Sequence, residues 1–337
     1  MLYQNHTHCE RTYHRRRRTL NRILLLTLSL SVSTMRAQMQ EHQQLIVFYA
    51  GSLAVPFQKI IERFRGERPG VDIRQEIAGS QECARKISEL HQPCDVFASA
   101  DYAVIENLLI PDYADWDLKF ATNEMAIVYT EKSRRAKEVN RDNWYDILLD
   151  KDVSFGRADP NTDPCGYRTI LTMKLAERYY GKPGLAEKLK AKNAEYIRPM
   201  EVDMLSLLEV GELDYIFLYR SVAVQHGLRF LLLPDEINLK RTDLEDYYKQ
   251  ASVELNGKRP GEKITQKGSS MVYGVTIPKN SRNQALAESF VQFLMTKGLK
   301  ILAEMGQPNV VPAVCSTYNK LPQSLRQFAK TPANKVR

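Results

Sequence analysis

The fold of this 337-residue chain is decided by the stretch Leu45-Ile46-Val47-Phe48-Tyr49-Ala50-Gly51-Ser52-Leu53. Its first half is an unbroken apolar run, which is typical of a buried strand. Apolar residues then recur at the spacing of one helical face, at Phe57, Ile60, Ile61 and Phe64. A strand therefore leads through a turn of small residues into a helix. Such a turn presents unpaired backbone N–H groups, a hydroxyl and the positive end of a helix dipole, which together bind an oxyanion.

Strand-like and helix-like segments alternate along the rest of the chain, which predicts an α/β fold with a largely parallel sheet. The predicted strands lie near residues 71–73, 95–98, 125–129, 153–156, 215–219, 230–233 and 270–277. Long extended segments near 121–129 and 270–277 join two such units and predict two lobes with a cleft between them.

The domain boundaries follow from these connecting segments. We expect a first lobe formed by residues 44–124 and 275–325, a second lobe formed by residues 125–274, and a mobile basic tail at 326–337. A charged segment from about Lys240 to Gln266 is interpreted as a solvated surface insertion.

The positive charge of the chain is concentrated at its N-terminus. The formal net charge is +8, but residues 1–37 hold seven arginines and one glutamate, which contribute 7 − 1 = +6. The remainder carries 8 − 6 = +2, which gives no general case for binding nucleic acid. The basic segment is followed by the apolar residues 23–32, which are too few to span a bilayer. A small residue, Ala37, comes after them. This order predicts a signal peptide over residues 1–37 and a periplasmic or secreted protein.

Export would place the cysteines in an oxidising compartment. Cys83 and Cys94 lie eleven residues apart and would make a local disulfide, but the four cysteines after the leader, which also include Cys165 and Cys315, allow three pairings. Buried thiols are the other interpretation. None of the four has the spacing of a metal site such as C-x-x-C.

Candidate binding residues stand where predicted helices begin. Gly51-Ser52, Gly79-Ser80, Asp163-Pro164-Cys165-Gly166 and Met200-Glu201 each precede a helical pattern. In α/β sheets such helix starts converge on one crevice. Each serine also fits a simple N-cap role, and each carboxylate is favoured by the helix dipole.

The two carboxylates change the chemistry expected of this crevice. Acidic side chains repel sulfate or phosphate unless they are protonated. Asp163 and Glu201 would instead coordinate the central atom of a metal oxyanion, because hard high-valent metals accept oxygen ligands.

Longer motifs carry a resemblance to a known family. The chain resembles the tungstate/molybdate-binding proteins of archaeal-type ABC importers, which are secreted solute-binding proteins with a two-lobed, type II periplasmic-binding fold. The resemblance covers about residues 45–318 and rests on the segments Tyr49–Leu53, Ala78–Ser80, Asp159–Arg168, Arg198–Glu201, Asp214–Ala223 and Leu233–Leu239.

The resemblance implies a binding site and a role. It implies that Gly51, Ser52 and Ser80 donate to the oxyanion, that Asp163 and Glu201 coordinate tungsten or molybdenum, that Pro164 and Cys165 supply backbone beside Asp163, and that Tyr219 donates from its phenol. It further implies a monomer without a cofactor or a catalysed reaction, which delivers tungstate or molybdate to the membrane permease of an ABC transporter.

Three other interpretations stay open at this point. A sulfate, phosphate or ferric-ion receptor would use the same fold, although a ferric site usually needs several tyrosines. An enzyme would use Cys165 as its nucleophile, but no histidine lies nearby in sequence to act as base. A cytoplasmic oxyanion-sensing regulator would need a DNA-binding module, for which the residues before the first strand leave little room.

Overall fold

The computed structural model describes residues 43–332. The chain forms two compact units, one of residues 1–43 with 70–72 and one of residues 44–69 with 73–337. Of the first unit only Gln43 and residues 70–72 are described, where the strands Gln43–Ala50 and Val71–Ala78 begin. The features below lie in the second unit. The predicted signal peptide, residues 1–37, is outside the described residues.

The second unit contains two five-stranded sheets. In the first sheet the strand order is Val71–Ala78, Gln43–Ala50, Val96–Ser99, Val272–Thr276 and Leu118–Thr122. In the second sheet the order is Ile197–Arg198, Phe155–Ala158, Tyr215–Tyr219, Met125–Tyr129 and Arg229–Leu232. The predicted α/β class is confirmed, and the predicted lobe boundaries remain a prediction.

The sheets are mixed, so the expectation of a largely parallel sheet is wrong. Val272–Thr276 runs antiparallel to both of its neighbours in the first sheet, and Met125–Tyr129 runs antiparallel to both of its neighbours in the second. Both strands belong to the long segments near 121–129 and 270–277. Leu118–Thr122 lies in the first sheet and Met125–Tyr129, two residues later, lies in the second, so the chain passes directly from one sheet to the other at this point.

The helices follow the predicted apolar faces. Phe57, Ile60, Ile61 and Phe64 are all buried on the helix Ala54–Glu67, where the rings of Phe64 and Phe290 meet edge to face at 5.1 Å. The other α-helical segments are Ser80–Ser88, Tyr102–Val104, Trp144–Leu149, Pro164–Tyr179, Leu185–Ala191, Leu205–Glu209, Arg220–Gln225, Glu245–Tyr248, Gln284–Phe293 and Leu299–Glu304. Among the described helices, none combines the length and apolar content needed to cross a bilayer.

The charged segment after Lys240 is more than a solvated surface. Ser252–Asn256 and Lys263–Lys267 pair as an antiparallel hairpin, in which Val253 and Leu255 are buried. Lys258 Nζ donates to the backbone carbonyl of Ile110 at 2.6 Å, and Lys174 Nζ donates to that of Ser252 at 2.6 Å. The hairpin is thus held by Lys174 of the helix Pro164–Tyr179 and by the backbone of Ile110.

Part of the predicted mobile tail is ordered. Phe328 is buried, and Ala329–Lys330 pairs in parallel with Ala313–Val314. Burial of an aromatic side chain and a strand pairing hold these residues in place, which composition alone did not indicate. Residues 333–337 are outside the described part of the chain.

The four described cysteines are buried thiols rather than disulfides. Cys83 and Cys94 lie in one apolar cluster with Phe48, Phe97 and Leu109. Burial raises the pKa of both thiols. The structure therefore agrees with the interpretation of buried thiols.

Candidate functional site

The first predicted turn forms one wall of a buried polar site. Ser52 lies in the short 3-10 turn Gly51–Leu53 and is 1% exposed. A Cβ on Gly51 would lie 3.1 Å from Oε2 of Glu201, so the small residue lets this turn approach the carboxylate. Ser52 Oγ accepts a hydrogen bond from the Tyr273 hydroxyl at 3.1 Å.

The second serine lies at the start of the helix Ser80–Ser88, against the loop that precedes Asp163. A Cβ on Gly79 would lie 2.2 Å from the carbonyl oxygen of Thr162, closer than any two such atoms can approach. Ser80 is fully buried, and its Oγ accepts from the backbone N–H of Ala100 at 3.0 Å. Glycine at position 79 therefore allows the contact that places Ser80.

The two carboxylates lie side by side. Asp163 caps the helix Pro164–Tyr179, because its Oδ1 accepts from the Cys165 N–H at 2.7 Å. Its Oδ2 accepts from the backbone N–H of Glu201 at 3.1 Å. Asp163 thus has the capping role expected of a residue before a helix, and it also holds the start of the turn Glu201–Met204.

Pro164 and Cys165 continue the helix away from the carboxylates. Pro164 occupies the first turn, and the Cys165 thiol donates to the carbonyl of Phe217 at 3.6 Å. Burial, and then the charges of Asp163 and Glu201, raise the pKa of this thiol well above its usual range. Such a thiol is not an activated nucleophile.

The Glu201 carboxyl differs from that of Asp163 because it makes no hydrogen bonds with the described residues. Glu201 is 1% exposed, and within residues 43–332 neither of its carboxyl oxygens has a hydrogen-bond partner. The Ser52 N–H and the Asp163 carboxyl lie near enough to influence its pKa, but neither completes a hydrogen bond to Oε1 or Oε2. A buried, unpartnered carboxyl is costly unless something else satisfies it.

Burial raises the pKa of both carboxyl groups. For Glu201 the burial effect is largest, and the neighbouring Asp163 carboxylate raises the pKa further. For Asp163 burial also raises the pKa, while Glu201, two backbone N–H groups and Arg168 act in the opposite direction. Like charges in one site oppose joint ionisation, so Glu201 is the member that holds a proton more firmly.

Tyr219 completes the site from the end of the strand Tyr215–Tyr219. It is fully buried, and its hydroxyl accepts from Arg168 Nη1 at 3.0 Å. The same nitrogen donates to the carbonyl of Ala100 at 2.8 Å, whose N–H binds Ser80. Arg168 Nη2 lies 2.9 Å from Asp101 Oδ2 in a buried ion pair, although the angle falls short of a hydrogen bond.

The hydroxyls of Ser52, Ser80 and Tyr219 share one property. Each accepts from an inner group, namely Tyr273, the Ala100 N–H and Arg168 respectively. Within the described part of the chain, none of the three hydroxyl protons has an acceptor. The arrangement therefore offers three hydroxyl donors beside two carboxyl groups, which suits a ligand with several acceptor oxygens.

The structure brings together the residues predicted for the site and adds others. The predicted residues Gly51, Ser52, Ser80, Asp163 and Glu201 meet around the two carboxyl groups, and Tyr219 adjoins them through Arg168. The sequence motifs included Arg168 without predicting a role for it, and they did not indicate Ala100, Asp101 or Tyr273. Arg168 lies in the first half of the helix Pro164–Tyr179, where all the other residues are uncharged, and this was the one local signal for it.

A conventional cation site is not found in the part of the chain that is described. No group of three or more histidine, cysteine, aspartate or glutamate side chains is arranged there to hold a metal ion. Two carboxyl groups would serve a metal only if the ligand itself supplied most of the coordinating oxygens.

Comparison with known proteins gives a family match and similar proteins. Residues 45–307 match the family model described as bacterial extracellular solute-binding protein. A solute-binding protein of Petrotoga mobilis without a characterized function is 50% identical over 294 residues, which cover 86% of this chain and 91% of that protein. The molybdate/tungstate-binding protein WtpA of Pyrococcus abyssi is 40% identical over 316 residues, with 85% and 90% of the two chains covered.

Solved structures are similar in fold. The periplasmic molybdate-binding protein of Azotobacter vinelandii superposes with a TM-score of 0.55 and 17% identity, covering 78% of this chain and 98% of that one. At this identity the likeness concerns the fold alone. It agrees with the expectation of a type II periplasmic-binding fold.

Proposed function

This chain belongs to the bacterial extracellular solute-binding protein family, and from that premise we propose that it captures tungstate or molybdate and delivers it to the permease of an ABC importer. It does so without catalysing a reaction and without a cofactor. The proposed ligand residues are Gly51, Ser52, Ser80, Asp163, Pro164, Cys165, Glu201 and Tyr219.

One observation carries the proposal: Glu201 is buried beside Asp163 with both carboxyl oxygens unpartnered within residues 43–332. The central atom of sulfate or phosphate does not readily take extra oxygen ligands, so such an ion would repel an ionised Glu201 carboxyl and leave its oxygens without a partner. A tungstate or molybdate ion has a hard metal centre that accepts oxygen ligands. Four oxo groups and one oxygen from each carboxylate make a six-coordinate centre.

The hydroxyl groups supply the remaining recognition. Ser52, Ser80 and Tyr219 each have a proton with no acceptor among residues 43–332, and each would donate to an oxo group. Hydrogen bonds to a charged acceptor are about twice as strong as those between neutral groups. The relative named molybdate/tungstate-binding protein, which is 40% identical, supports the same ligand class.

Burial of the site implies a conformational step. Ser52, Ser80, Asp163, Glu201 and Tyr219 are all at most 1% exposed, so a ligand would enter only when the groups separate. We propose hinge closure between a lobe of residues 44–124 with 275–325 and a lobe of residues 125–274. Export by the segment 1–37 to the periplasm or medium, and a monomeric state, are part of the same proposal.

Calorimetric titration of the purified protein with tungstate, molybdate and sulfate tests the proposal. We expect tight binding of the first two and weak or absent binding of sulfate. Asp163→Ala and Glu201→Ala should each abolish most of the binding, whereas exposed Glu209→Ala should not. Sulfate binding as tight as that of tungstate, or unchanged affinity in both site variants, would identify an ordinary anion receptor instead.

Coordination number gives a direct second test. X-ray absorption at the tungsten edge should report six oxygen neighbours when the protein holds tungstate. A centre that remains four-coordinate would contradict metal–carboxylate bonding.

Treatment with a thiol-alkylating reagent tests the alternative in which Cys165 is a nucleophile. Under native conditions it should leave tungstate binding unchanged, because the Cys165 thiol is buried and hydrogen-bonded to the Phe217 carbonyl. A loss of binding together with modified Cys165 would support the thiol-dependent alternative.

A further inference from the structure

Tyr273 is the centre of a buried hydrogen-bond network behind Ser52. It lies on the strand Val272–Thr276 and is fully buried. Its hydroxyl oxygen lies 2.9 Å from Asn123 Nδ2, 3.3 Å from Gln307 Nε2 and 3.1 Å from Ser52 Oγ. These partners come from widely separated parts of the chain, and backbone groups determine which of them donate.

The orientation of the Asn123 amide is set by the backbone. Its Oδ1 accepts from the N–H of Glu124 at 3.0 Å and from that of Ser221 at 3.3 Å. An N–H group only donates, so this side of the amide must be the oxygen. The opposite side, which faces Tyr273, is therefore the NH₂ group and donates to the phenol oxygen.

The orientation of the Gln307 amide is also fixed. Its Nε2 donates to the backbone carbonyl of Ser52 at 3.0 Å. A carbonyl only accepts, so the amide atom that faces it must be the nitrogen, whose second proton points to Tyr273. The Tyr273 oxygen thus receives two donors, and its own proton has Ser52 Oγ as its acceptor.

We infer that Tyr273 is a positioning residue that orients the Ser52 hydroxyl so that its proton is donated to the bound oxyanion. Ser52 Oγ uses a lone pair to accept from Tyr273, so its proton must point elsewhere, and within residues 43–332 no protein acceptor takes it. This inference rests on the proposed function and adds a residue that acts through Ser52 without touching the ligand.

The arrangement also restricts what binds. A ligand oxygen that accepts a hydrogen bond satisfies the one Ser52 proton left without an acceptor, so an oxo group suits this position better than a hydroxyl group. Without Tyr273, the Ser52 hydroxyl would rotate freely and lose this preference. The orienting chain starts from the Glu124 N–H and the Ser52 carbonyl, neither of which can reverse its role.

A double-mutant cycle on tungstate affinity tests the inference, with wild type, Tyr273→Phe, Ser52→Ala and the double variant. Phenylalanine keeps the ring, including its contact with Tyr219, and removes only the hydroxyl. Tyr273→Phe should weaken tungstate binding roughly tenfold. In the Ser52→Ala background the same change should cost little, because the hydroxyl that Tyr273 orients is already absent.

A matched control separates this role from general stability. Tyr215 is a fully buried strand tyrosine whose hydroxyl donates to the Arg134 carbonyl at 2.7 Å, away from the carboxyl groups. Tyr215→Phe should leave tungstate affinity unchanged. The tungstate-induced rise in melting temperature of each variant provides a second readout where low stability prevents titration.

The outcomes distinguish this inference from the proposed function. If wild type binds tungstate and Tyr273→Phe binds it equally well, Tyr273 does not position Ser52. An equal loss on Tyr273→Phe in the wild-type and Ser52→Ala backgrounds would likewise overturn the inference. If wild type binds no tungstate, the proposed function itself fails, and the inference fails with it.

Discussion

The backbone N–H of Glu201 donates to Oδ2 of Asp163 at 3.1 Å. This bond joins two carboxyl-bearing residues that are 38 positions apart in the chain and gives them unequal environments. Asp163 is satisfied by two N–H groups, from Cys165 and Glu201, whereas the Glu201 carboxyl has no hydrogen-bond partner in the described chain. The Asp163 carboxyl is therefore held in place before a ligand binds, whereas the Glu201 carboxyl oxygens remain available to a ligand.

Glu201→Gln should stabilise the ligand-free protein while impairing binding. The folded-state pKa of Glu201 is raised above its usual value by burial and by Asp163. An acid with a raised folded-state pKa loses stability as the pH rises above its unfolded pKa, because ionisation is resisted only in the folded state. The melting temperature of Glu201→Gln should exceed that of wild type at pH 8, and the difference should shrink below pH 4.5, the ordinary value.

The same variant should lose tungstate affinity by at least roughly 100-fold, since changes even outside the ligand shell of a metal cost 10–100-fold. Exposed Glu209→Gln is the control and should change neither quantity. A Glu201→Gln protein that binds tungstate normally would show that this carboxylate does not coordinate the metal.

Gly79→Ala should disturb both stability and binding. Its Cβ would lie 2.2 Å from the Thr162 carbonyl oxygen, so the Ser80 helix would have to move away from the Asp163 loop. Overpacking of this kind costs about 1–3 kcal/mol, and we expect weaker tungstate binding as well. Chemical denaturation and calorimetry measure the two effects.

Gly66 provides the control for that substitution. It lies in the helix Ala54–Glu67, where a Cβ would meet no atom within 4 Å. Gly66→Ala should therefore raise stability by about 0.5–1 kcal/mol, because alanine loses less backbone entropy in a helix. Equal behaviour of the two variants would argue against the close contact at Gly79.

Arg168→Met should be strongly destabilising. Arg168 and Asp101 form an ion pair in which both side chains are 2% exposed, so removing the cation leaves a buried carboxylate without its counter-charge. Breaking a buried pair in this way costs about 3–5 kcal/mol. Arg178→Met, at the exposed end of the same helix, should change the free energy of unfolding by less than about 0.5 kcal/mol.

Adding Asp101→Asn to Arg168→Met should restore part of that loss, because the uncompensated charge is then removed. Urea denaturation of the single and double variants measures the recovery. A double variant that is less stable than Arg168→Met by the full cost of Asp101→Asn would indicate that the two residues act independently.

Asp117→Asn should remove a pH-dependent loss of folding stability that arises outside the proposed site. Both Asp117 oxygens are buried without a hydrogen-bond partner in residues 43–332, and burial raises the pKa of this carboxyl from 3.8 to about 7. Wild-type stability should fall between pH 4 and 7 as ionisation becomes possible only at a cost in the folded state. Asp117→Asn should be more stable by on the order of 2–4 kcal/mol at pH 8 and similar at low pH.

Tungstate affinity of Asp117→Asn should equal that of wild type, which separates this carboxyl from Asp163 and Glu201. Thermal denaturation at pH 4, 6 and 8 provides the comparison. A stability difference that is the same at all three values would mean that ionisation of Asp117 is not its cause.

Features of the fold that depend on neighbouring residues were predicted from the sequence. The helical face at Phe57, Ile60, Ile61 and Phe64 depends on a short-range pattern, and all four side chains are buried. The mixed strand directions and the hairpin after Ser252 were not predicted, since pairing partners lie far apart in the chain and periodicity carries no information on direction.

By itself, the sequence determined the strand–turn–helix units and the residues at their ends, because Gly51, Ser52, Ser80, Asp163 and Glu201 each stand at a helix start with a recognisable local pattern. Tertiary structure alone decided that Glu201 is left without a partner among the described residues, and that Tyr273 and Arg168 orient the hydroxyls of Ser52 and Tyr219. The physical reason is that burial and hydrogen-bond direction depend on atoms brought together from distant segments: Ser52 and Tyr273 are separated by 221 residues and meet only in the folded chain.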